Sequence, residues 1–469
     1  MSYYDGLKQF GNNPALIQED GVSLTYTELA EEGARVAANT EPRSLVFCFC
    51  TNTIGSVTGY VGFLSRKVVP VLVDSNINEV LAESLLSLYQ PPYLYMPEAM
   101  AERYTDCAEV YRAYGYVLLR NASAKAWELH DELALLLTTS GSTGSPKLVR
   151  QSYKNIQANA ESISQYLELD NTERPVTTLP MNYTYGLSII NSHLLVGACI
   201  LLTTKNVVAK DFWDFMKANH ATSFGGVPYT YEMLKRVRFF RMALPDLRTM
   251  TQAGGKLAPE LHKEFAQYAE AQGKKFVVMY GQTEATARMG WLPHYKSLEK
   301  YGSMGIAIPG GKFQLIDAQG NEITEPDVTG ELVYEGPNVT LGYAECGEDL
   351  GKGDERNGRL ETGDMAKRDA DGFYYIVGRK KRFLKIFGSR INLDEVDRMV
   401  KAEYDYLDCA TTGVDDKMKV YITDASYQEQ VETFLLERLK INPSALEVHV
   451  VDTIPKNEAG KVQYTKLPQ

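Results

Sequence analysis

Short apolar runs and stretches of helically spaced apolar residues take turns along most of this chain. Leu45–Cys50, Val68–Asp74 and Tyr93–Met96 are continuous enough to read as buried strands. Asn78–Leu88 between them repeats its apolar residues at helical spacing. Ahead of them, Thr27-Glu-Leu-Ala-Glu-Glu has the pattern of a capped amphipathic helix. The alternation continues through Leu133–Thr138, a helix over Ser152–Leu167, then Val176–Pro180, Cys199–Thr203, Phe212–Asn219 and Phe276–Met279. Repeated β/α units predict an α/β fold in which parallel sheets are covered by helices. The most apolar long window, Leu187–Leu202, is too short to span a bilayer and carries Asn191, Ser192 and His193. It reads as a buried helix followed by a strand.

From about Gly302 the texture changes. Lys312–Asp317, Gly330–Glu335 and Gly372–Val377 are short strands separated by Gly, Asn, Asp and Pro turns, the pattern of a small β-rich subdomain. After the basic turn Gly378-Arg-Lys-Lys-Arg, the segments Leu393–Glu403, Val420–Thr423, Gln428–Leu439 and Glu447–Val451 suggest a small α+β domain. The expected organisation is a large N-terminal domain over 1–380, with its β-rich part near 302–378, and a C-terminal domain over 381–469.

Composition narrows the classes. A chain of 469 residues that is 44% hydrophobic can bury a large core, which excludes disorder as the main state. A net charge of -11 argues against a protein that grips duplex nucleic acid, which needs a basic face. The six cysteines are scattered, with no paired CxxC elements, and fit buried reduced thiols in a cytoplasmic protein. Cys48 and Cys50 are expected on opposite faces of one strand. The opening MSYYDGLKQF has neither a basic nor an apolar leader region, so no signal peptide is expected.

Four segments carry candidate chemistry. Thr138-Thr-Ser-Gly-Ser-Thr-Gly-Ser-Pro-Lys147 follows an apolar strand. Its glycines let backbone N–H groups converge on an anion, its hydroxyls can donate to phosphate oxygens, and Lys147 adds charge. Its glycine–lysine spacing is not that of a Walker A loop, and a plain polar surface loop is the competing reading. Tyr280-Gly-Gln-Thr-Glu284 follows the strand Phe276–Met279. Tyr280 offers a face to a purine, Thr283 a donor to a phosphate, and Glu284 a hard oxygen for Mg²⁺; a strand-end turn with a solvated Glu is the bland alternative. Leu360-Glu-Thr-Gly-Asp364 places a carboxylate after a glycine turn, where it can accept both hydroxyls of a ribose, though Thr-Gly-Asp is also a common turn. Ile454-Pro-Lys-Asn-Glu-Ala-Gly-Lys461 ends on a lysine in a glycine-containing loop, usually a solvated one.

In this order and spacing, the four segments resemble the adenylate-forming superfamily of acyl-CoA synthetases, nonribosomal adenylation domains and firefly-type luciferases. The pattern is closest to the acyl-CoA synthetases. Gly330-Glu-Leu-Val…Gly342-Tyr343 and Lys385-Ile-Phe-Gly-Ser-Arg-Ile391 fit two further motifs of that superfamily. The resemblance implies an AMP-forming acid–thiol ligase. A carboxylate attacks the α-phosphorus of ATP, pyrophosphate leaves, and a thiol then displaces AMP. By the same match Thr139, Ser140, Gly141, Ser142, Thr143, Gly144 and Lys147 hold the β- and γ-phosphates. Thr283 touches the α-phosphate, Glu284 binds Mg²⁺, and Asp364 and Arg379 grip the ribose. Gly254, Gly255 and Tyr280 form the adenine slot, and Lys461 bridges α-phosphate and carboxylate. A small mobile C-terminal domain is implied too, turning about Lys381. It would present first Lys461 and then the face with Gly388, where a pantetheine arm passes; a solvated basic face is the alternative for Lys380, Lys381, Arg382 and Lys385.

The acid pocket implied by the resemblance is lined by Pro180–Ser188, with Tyr183, Tyr185 and Gly186, and by Gly225–Pro228, with Gly226. An aromatic core pair is the plain reading of the two tyrosines. Relatives that activate amino acids carry Phe-Asp here. Asn182 and Tyr183 supply no carboxylate for an ammonium, which disfavours α-amino acids. Asn392 replaces the usual Glu, and Val414-Asp-Asp-Lys-Met-Lys-Val-Tyr is short, so the C-terminal domain reads as trimmed. The acceptor is CoA or, alternatively, the phosphopantetheine of a carrier protein. A non-catalytic AMP-binding protein is disfavoured, because Lys461, Glu284 and the phosphate loop are all present.

Overall fold

The computed structural model describes residues 2–138, 147–387, 389–456 and 462–468. The chain falls into two compact units. One holds the chain up to Lys312 together with Tyr334–Leu360, and the other holds Phe313–Val333 and the chain from Glu361 onward.

The first unit contains two sheets among the described residues. In one, Leu133–Thr138, Val69–Asp74, Leu45–Cys50 and Tyr93–Pro97 run parallel. Antiparallel strands extend both edges: Leu148–Ser152 and Gly342–Ala344 on one side, Tyr116–Asn121 and Cys107–Ala113 on the other. In the other sheet, Pro14–Gln18, Ile200–Leu202, Pro175–Val176, Ser223–Gly226, Thr249–Gln252 and Lys275–Tyr280 form a parallel array. Every residue of Leu45–Cys50 is buried, which is why it lacks polar alternation. The helices Ile54–Ser65 and Thr184–Leu195 are also buried nearly all round, as expected of helices inside a layered core. Among the described residues no helix is long and apolar enough to cross a membrane, and Leu187–Leu202 resolves into the end of helix Thr184–Leu195 and the strand Ile200–Leu202.

Three local expectations change. The first amphipathic helix, Tyr26–Ala37, is capped by Thr25 and not by Thr27. The Thr25 hydroxyl accepts from the Glu28 N–H, and the Glu28 carboxylate returns to the Thr25 N–H, a reciprocal pair that needs Glu three residues after the cap. Of the predicted strand Val176–Pro180 only Val176 falls in a strand, the short Pro175–Val176, and Pro180 at the far end has no N–H to give a ladder. Cys48 and Cys50 share one face, both packing in the cluster that holds Val46, because positions two apart in a strand point the same way. All six cysteines are free.

In the second unit, Lys312–Ile316, Thr329–Glu335, Arg359–Arg368 and Tyr374–Arg379 form a four-stranded sheet. A short hairpin, Phe383–Ile386 with Ser389–Asn392, leads into helix Leu393–Glu403. The strands Cys409–Val414, Lys417–Ile422 and Leu446–Val450 then form a small sheet that shares one apolar cluster with helices Leu393–Glu403 and Gln428–Leu439. Asn392, at the position noted for its missing Glu, caps that first helix by accepting from the Asp394 N–H at 2.9 Å.

Candidate active site

Three adjacent parallel strands of the first unit, Ser223–Gly226, Thr249–Gln252 and Lys275–Tyr280, end on the same side. The segments that leave their carboxyl ends are Val227-Pro228, Ala253-Gly-Gly255 and Gly281-Gln-Thr-Glu284. In open α/β sheets the carboxyl ends of the strands are where ligands bind.

The last of these segments is tightly built. A Cβ on Gly281 would lie 1.7 Å from the Ala287 carbonyl oxygen, so only glycine fits there. The chain then makes the single turn Thr283–Ala285, and Thr286 takes a left-handed conformation at φ 66°. Neighbours hold the turn through its backbone. The Glu284 carbonyl accepts from the Thr340 N–H at 3.0 Å, the Thr340 hydroxyl at 2.9 Å and Arg356 Nη1 at 2.9 Å. Asn338 Nδ2 donates to the carbonyls of Ala285 and Arg288. The Glu284 side chain remains half-buried, and its Oε1 accepts from the Tyr343 hydroxyl at 2.7 Å. Two cations lie near the Tyr343 ring, Lys147 Nζ 5.5 Å from its centroid and the Arg356 guanidinium 4.8 Å away. Lys147 also pairs with Glu345 at 2.6 Å. Lys147 and Glu284, separated widely in sequence, thus share one corner built on Tyr343. Burial and the nearby Glu284 charge push the Tyr343 hydroxyl up to about 12, so it stays a donor.

The adenine and acid candidates also adjoin. Gly254 has φ +83°, and a Cβ there would come 2.5 Å from the Tyr183 hydroxyl and 3.0 Å from Val227. Gly255 packs in the same way against Pro228. Tyr183 and Tyr185 meet edge-on with centroids 6.4 Å apart, and the Tyr185 hydroxyl is hydrogen-bonded to Thr251 Oγ1 at 2.8 Å. Gly186 lets the start of helix Thr184–Leu195 close on Pro180, whose carbonyl would be 2.3 Å from an added Cβ. Gly225 turns toward Tyr185 and Ile189, whereas Gly226 packs on Thr230 and Tyr231 of the helix Pro228–Arg236. Tyr280 is half-buried and accepts at its hydroxyl from Gln282 Nε2 at 3.3 Å.

In the second unit, Asp364 and Arg379 stand directly opposite each other on antiparallel strands, with Arg379 Nε 2.8 Å from the buried Asp364 carboxylate. Lys381 lies in the turn Lys380–Arg382. Its neighbours are tied down: Lys380 to Glu331 at 2.6 Å, Arg382 to Asp394 at 2.8 Å and to Asp397 at 2.9 Å. Thr139, Ser140, Gly141, Ser142, Thr143, Gly144, Gly388 and Lys461 lie outside the described residues.

Sequence reasoning passed over Arg356, Thr340 and Asn338, whose side chains shape the Glu284 turn from far along the chain. It also passed over Arg288 and treated His193 only as a polar interruption. Both are buried beside the acid candidates. The GlyTyr pair at 342–343 was the one usable signal for the Glu284 partner.

An α/β sheet with glycine-bearing turns at neighbouring strand ends is the framework of a nucleotide-handling protein. The chain belongs to the family of AMP-binding enzymes, whose sequence profile matches residues 5–344. It is 30% identical over 347 residues to oxalate–CoA ligase of Arabidopsis thaliana, covering 71% of this chain but 66% of that protein, just under two thirds of its length. It is 29% identical over 346 residues to 2-succinylbenzoate–CoA ligase of Bacillus licheniformis, covering 72% of this chain and 70% of that one. Among solved structures, o-succinylbenzoate CoA synthetase of Bacillus subtilis with its acyl-adenylate intermediate matches with a TM-score of 0.83 at 21% identity, over 100% of this chain and 98% of that one. That last likeness is one of fold.

Proposed function

We propose that the protein activates a small carboxylic acid with ATP, forming an acyl-adenylate and pyrophosphate, and then passes the acyl group to the thiol of coenzyme A, releasing AMP. The observation that supports this is the convergence at three adjacent strand ends of the Glu284 turn, the Gly254–Gly255 turn and Val227-Pro228, with Tyr183 packed against Gly254. Family membership and the CoA ligases among its relatives support the same reading.

The first step brings two anions together, so positioning and positive charge matter more than proton transfer. Lys147 brings a cation to the corner where Glu284 sits. Glu284 offers the hard carboxylate oxygen that would suit Mg²⁺. A Mg²⁺ ion there would be held by the Glu284 carboxylate. When bound, it neutralises charge on the phosphates. Tyr343 and Arg356 fix the carboxylate and its backbone. Roles for the 139–144 loop, Lys461, Lys381 and Gly388 follow from the family resemblance and form part of this proposal, as does a cytoplasmic location.

Acid-dependent ATP–pyrophosphate exchange over a panel of aliphatic, aryl, hydroxy and dicarboxylic acids tests the first half-reaction. CoA-dependent release of AMP tests the second. Exchange with at least one acid, followed by its thioester on adding CoA, is the expected result. ATP binding without exchange for any acid would overturn the reading in favour of a non-catalytic nucleotide binder.

A further inference from the structure

The buried helix Thr184–Leu195 and the strands Ser223–Gly226 and Thr249–Gln252 border a small cavity of about 20 Å³. Gly225 and Thr251 of its lining adjoin the Tyr185 hydroxyl, so it lies beside that acid candidate. Leu167, Leu169, Pro175, Ile189 and Phe224 make most of its wall apolar.

Two buried polar side chains interrupt that wall. Arg288 is 2% exposed. Its Nε donates to Ser188 Oγ at 3.1 Å, and its Nη1 lies 3.2 Å from the Tyr166 hydroxyl and 3.1 Å from Met279 Sδ. The Tyr185 ring is 5.0 Å from the guanidinium carbon. All of these partners are neutral. Among the described residues no carboxylate pairs with Arg288, and its Nη2 makes no hydrogen bond. A guanidinium cannot shed its proton, so burying it without a counter-charge is costly.

His193 is 4% exposed. Its Nδ1 lies 2.7 Å from the Ile189 carbonyl, which can only accept, so the proton sits on Nδ1. Nε2 is then a lone-pair acceptor, and it is buried without a partner among the described residues. Burial lowers the ring to about 4, with the Arg288 charge adding to the effect, so His193 is neutral at pH 7. The pocket thus presents an unpaired cation and an unfilled acceptor.

We infer that Arg288 and His193 set the specificity of this pocket: the acid carries a second anionic group, carboxylate or sulfonate, that pairs with Arg288. A hydroxyl on the same short chain donates to His193 Nε2. The inference rests on the acid-activating reading above.

The test compares matched acids with the full chain in pyrophosphate exchange. Succinate, malate and 3-sulfopropionate each carry the second anion, malate adds the hydroxyl, and butyrate carries neither. Charge-assisted hydrogen bonds predict kcat/KM for succinate about 10–100-fold above butyrate. Malate should exceed succinate several-fold, and the ratio of succinate to sulfopropionate tells which anion is meant. Arg288→Met should collapse the succinate-to-butyrate ratio to within about fivefold. Arg288→Lys, which keeps the charge, guards against misfolding and should hold an intermediate ratio with a near-normal melting curve. His193→Phe should remove only the preference for malate. Butyrate equal to or better than succinate, or a ratio that Arg288→Met leaves intact, overturns the inference while acid activation stands. If no acid supports exchange, calorimetric titration with succinate decides separately. Binding that Arg288→Met abolishes supports the anion site without the reaction, and no binding overturns it.

Discussion

Replacing Tyr343 by phenylalanine isolates one contact in the proposed metal corner. The ring stays, so Arg356 at 4.8 Å and Lys147 at 5.5 Å keep their place over it. The backbone clamp from Thr340 and Arg356 on the Glu284 carbonyl also stays. Only the hydroxyl that donates to Glu284 Oε1 at 2.7 Å is lost. A hydrogen bond to a charged group contributes about 1.5–3 kcal/mol, and half-burial places this one near the low end, so the change is worth roughly tenfold in rate. Initial rates of pyrophosphate exchange across a Mg²⁺ titration should show kcat/KM for ATP down about tenfold and a higher half-saturating Mg²⁺ concentration. Glu284→Gln should have a larger effect of the same kind. In the double variant, Tyr343→Phe should matter far less, since the carboxylate it serves is gone, giving a coupling of about 1 kcal/mol. The melting temperature should barely move. If the two single effects multiply in the double variant, Tyr343 does not act through Glu284 and the corner is misread.

The remaining expectations are brief. Gly281→Ala drives a methyl into the Ala287 carbonyl, 1.7 Å from the ideal Cβ, and backbone cannot step aside; exchange should fall at least about 100-fold with a measurable loss of thermal stability, and activity within twofold of wild type would refute the packing argument. Lys461→Ala should abolish adenylation yet largely spare thioester formation from a preformed acyl-adenylate, whereas equal loss of both would sink the assignment of roles. His193 and His262 are both held near 4 by burial. The unfolded chain therefore takes up more protons below about 6.5, and stability is full above that pH and falls as pH drops toward 4. Chemical denaturation at pH 7.5 and pH 5 should differ by about 2 kcal/mol per histidine, and His262→Gln should remove the His262 share while leaving that of His193.

What could be read from the letters, and what could not, divides along the range of the interactions involved. Leu393–Glu403 and Gln428–Leu439 were predicted to the residue because helical spacing is a local property. The Glu284 turn was legible for a similar reason, since a glycine between a strand end and a Thr-Glu pair marks a close backbone approach, here to Ala287. Arg288 is the opposite case. In Thr-Ala-Arg-Met-Gly an arginine reads as solvated, and what buries it comes from Ser188 and Tyr166, 100 and 122 residues away. His193 was visible but was weighed only against a membrane span. Its meaning depends on the helix carrying it being buried on all sides, because there an unmatched ring nitrogen has no water to turn to. A polar residue in an apolar helix therefore poses two questions: whether the helix can cross a bilayer, and what the polar atom meets when it does not. For His193 Nε2 the second question has no answer among the described residues, and Arg288 finds no counter-charge there, which is the physical reason to look for both in the substrate.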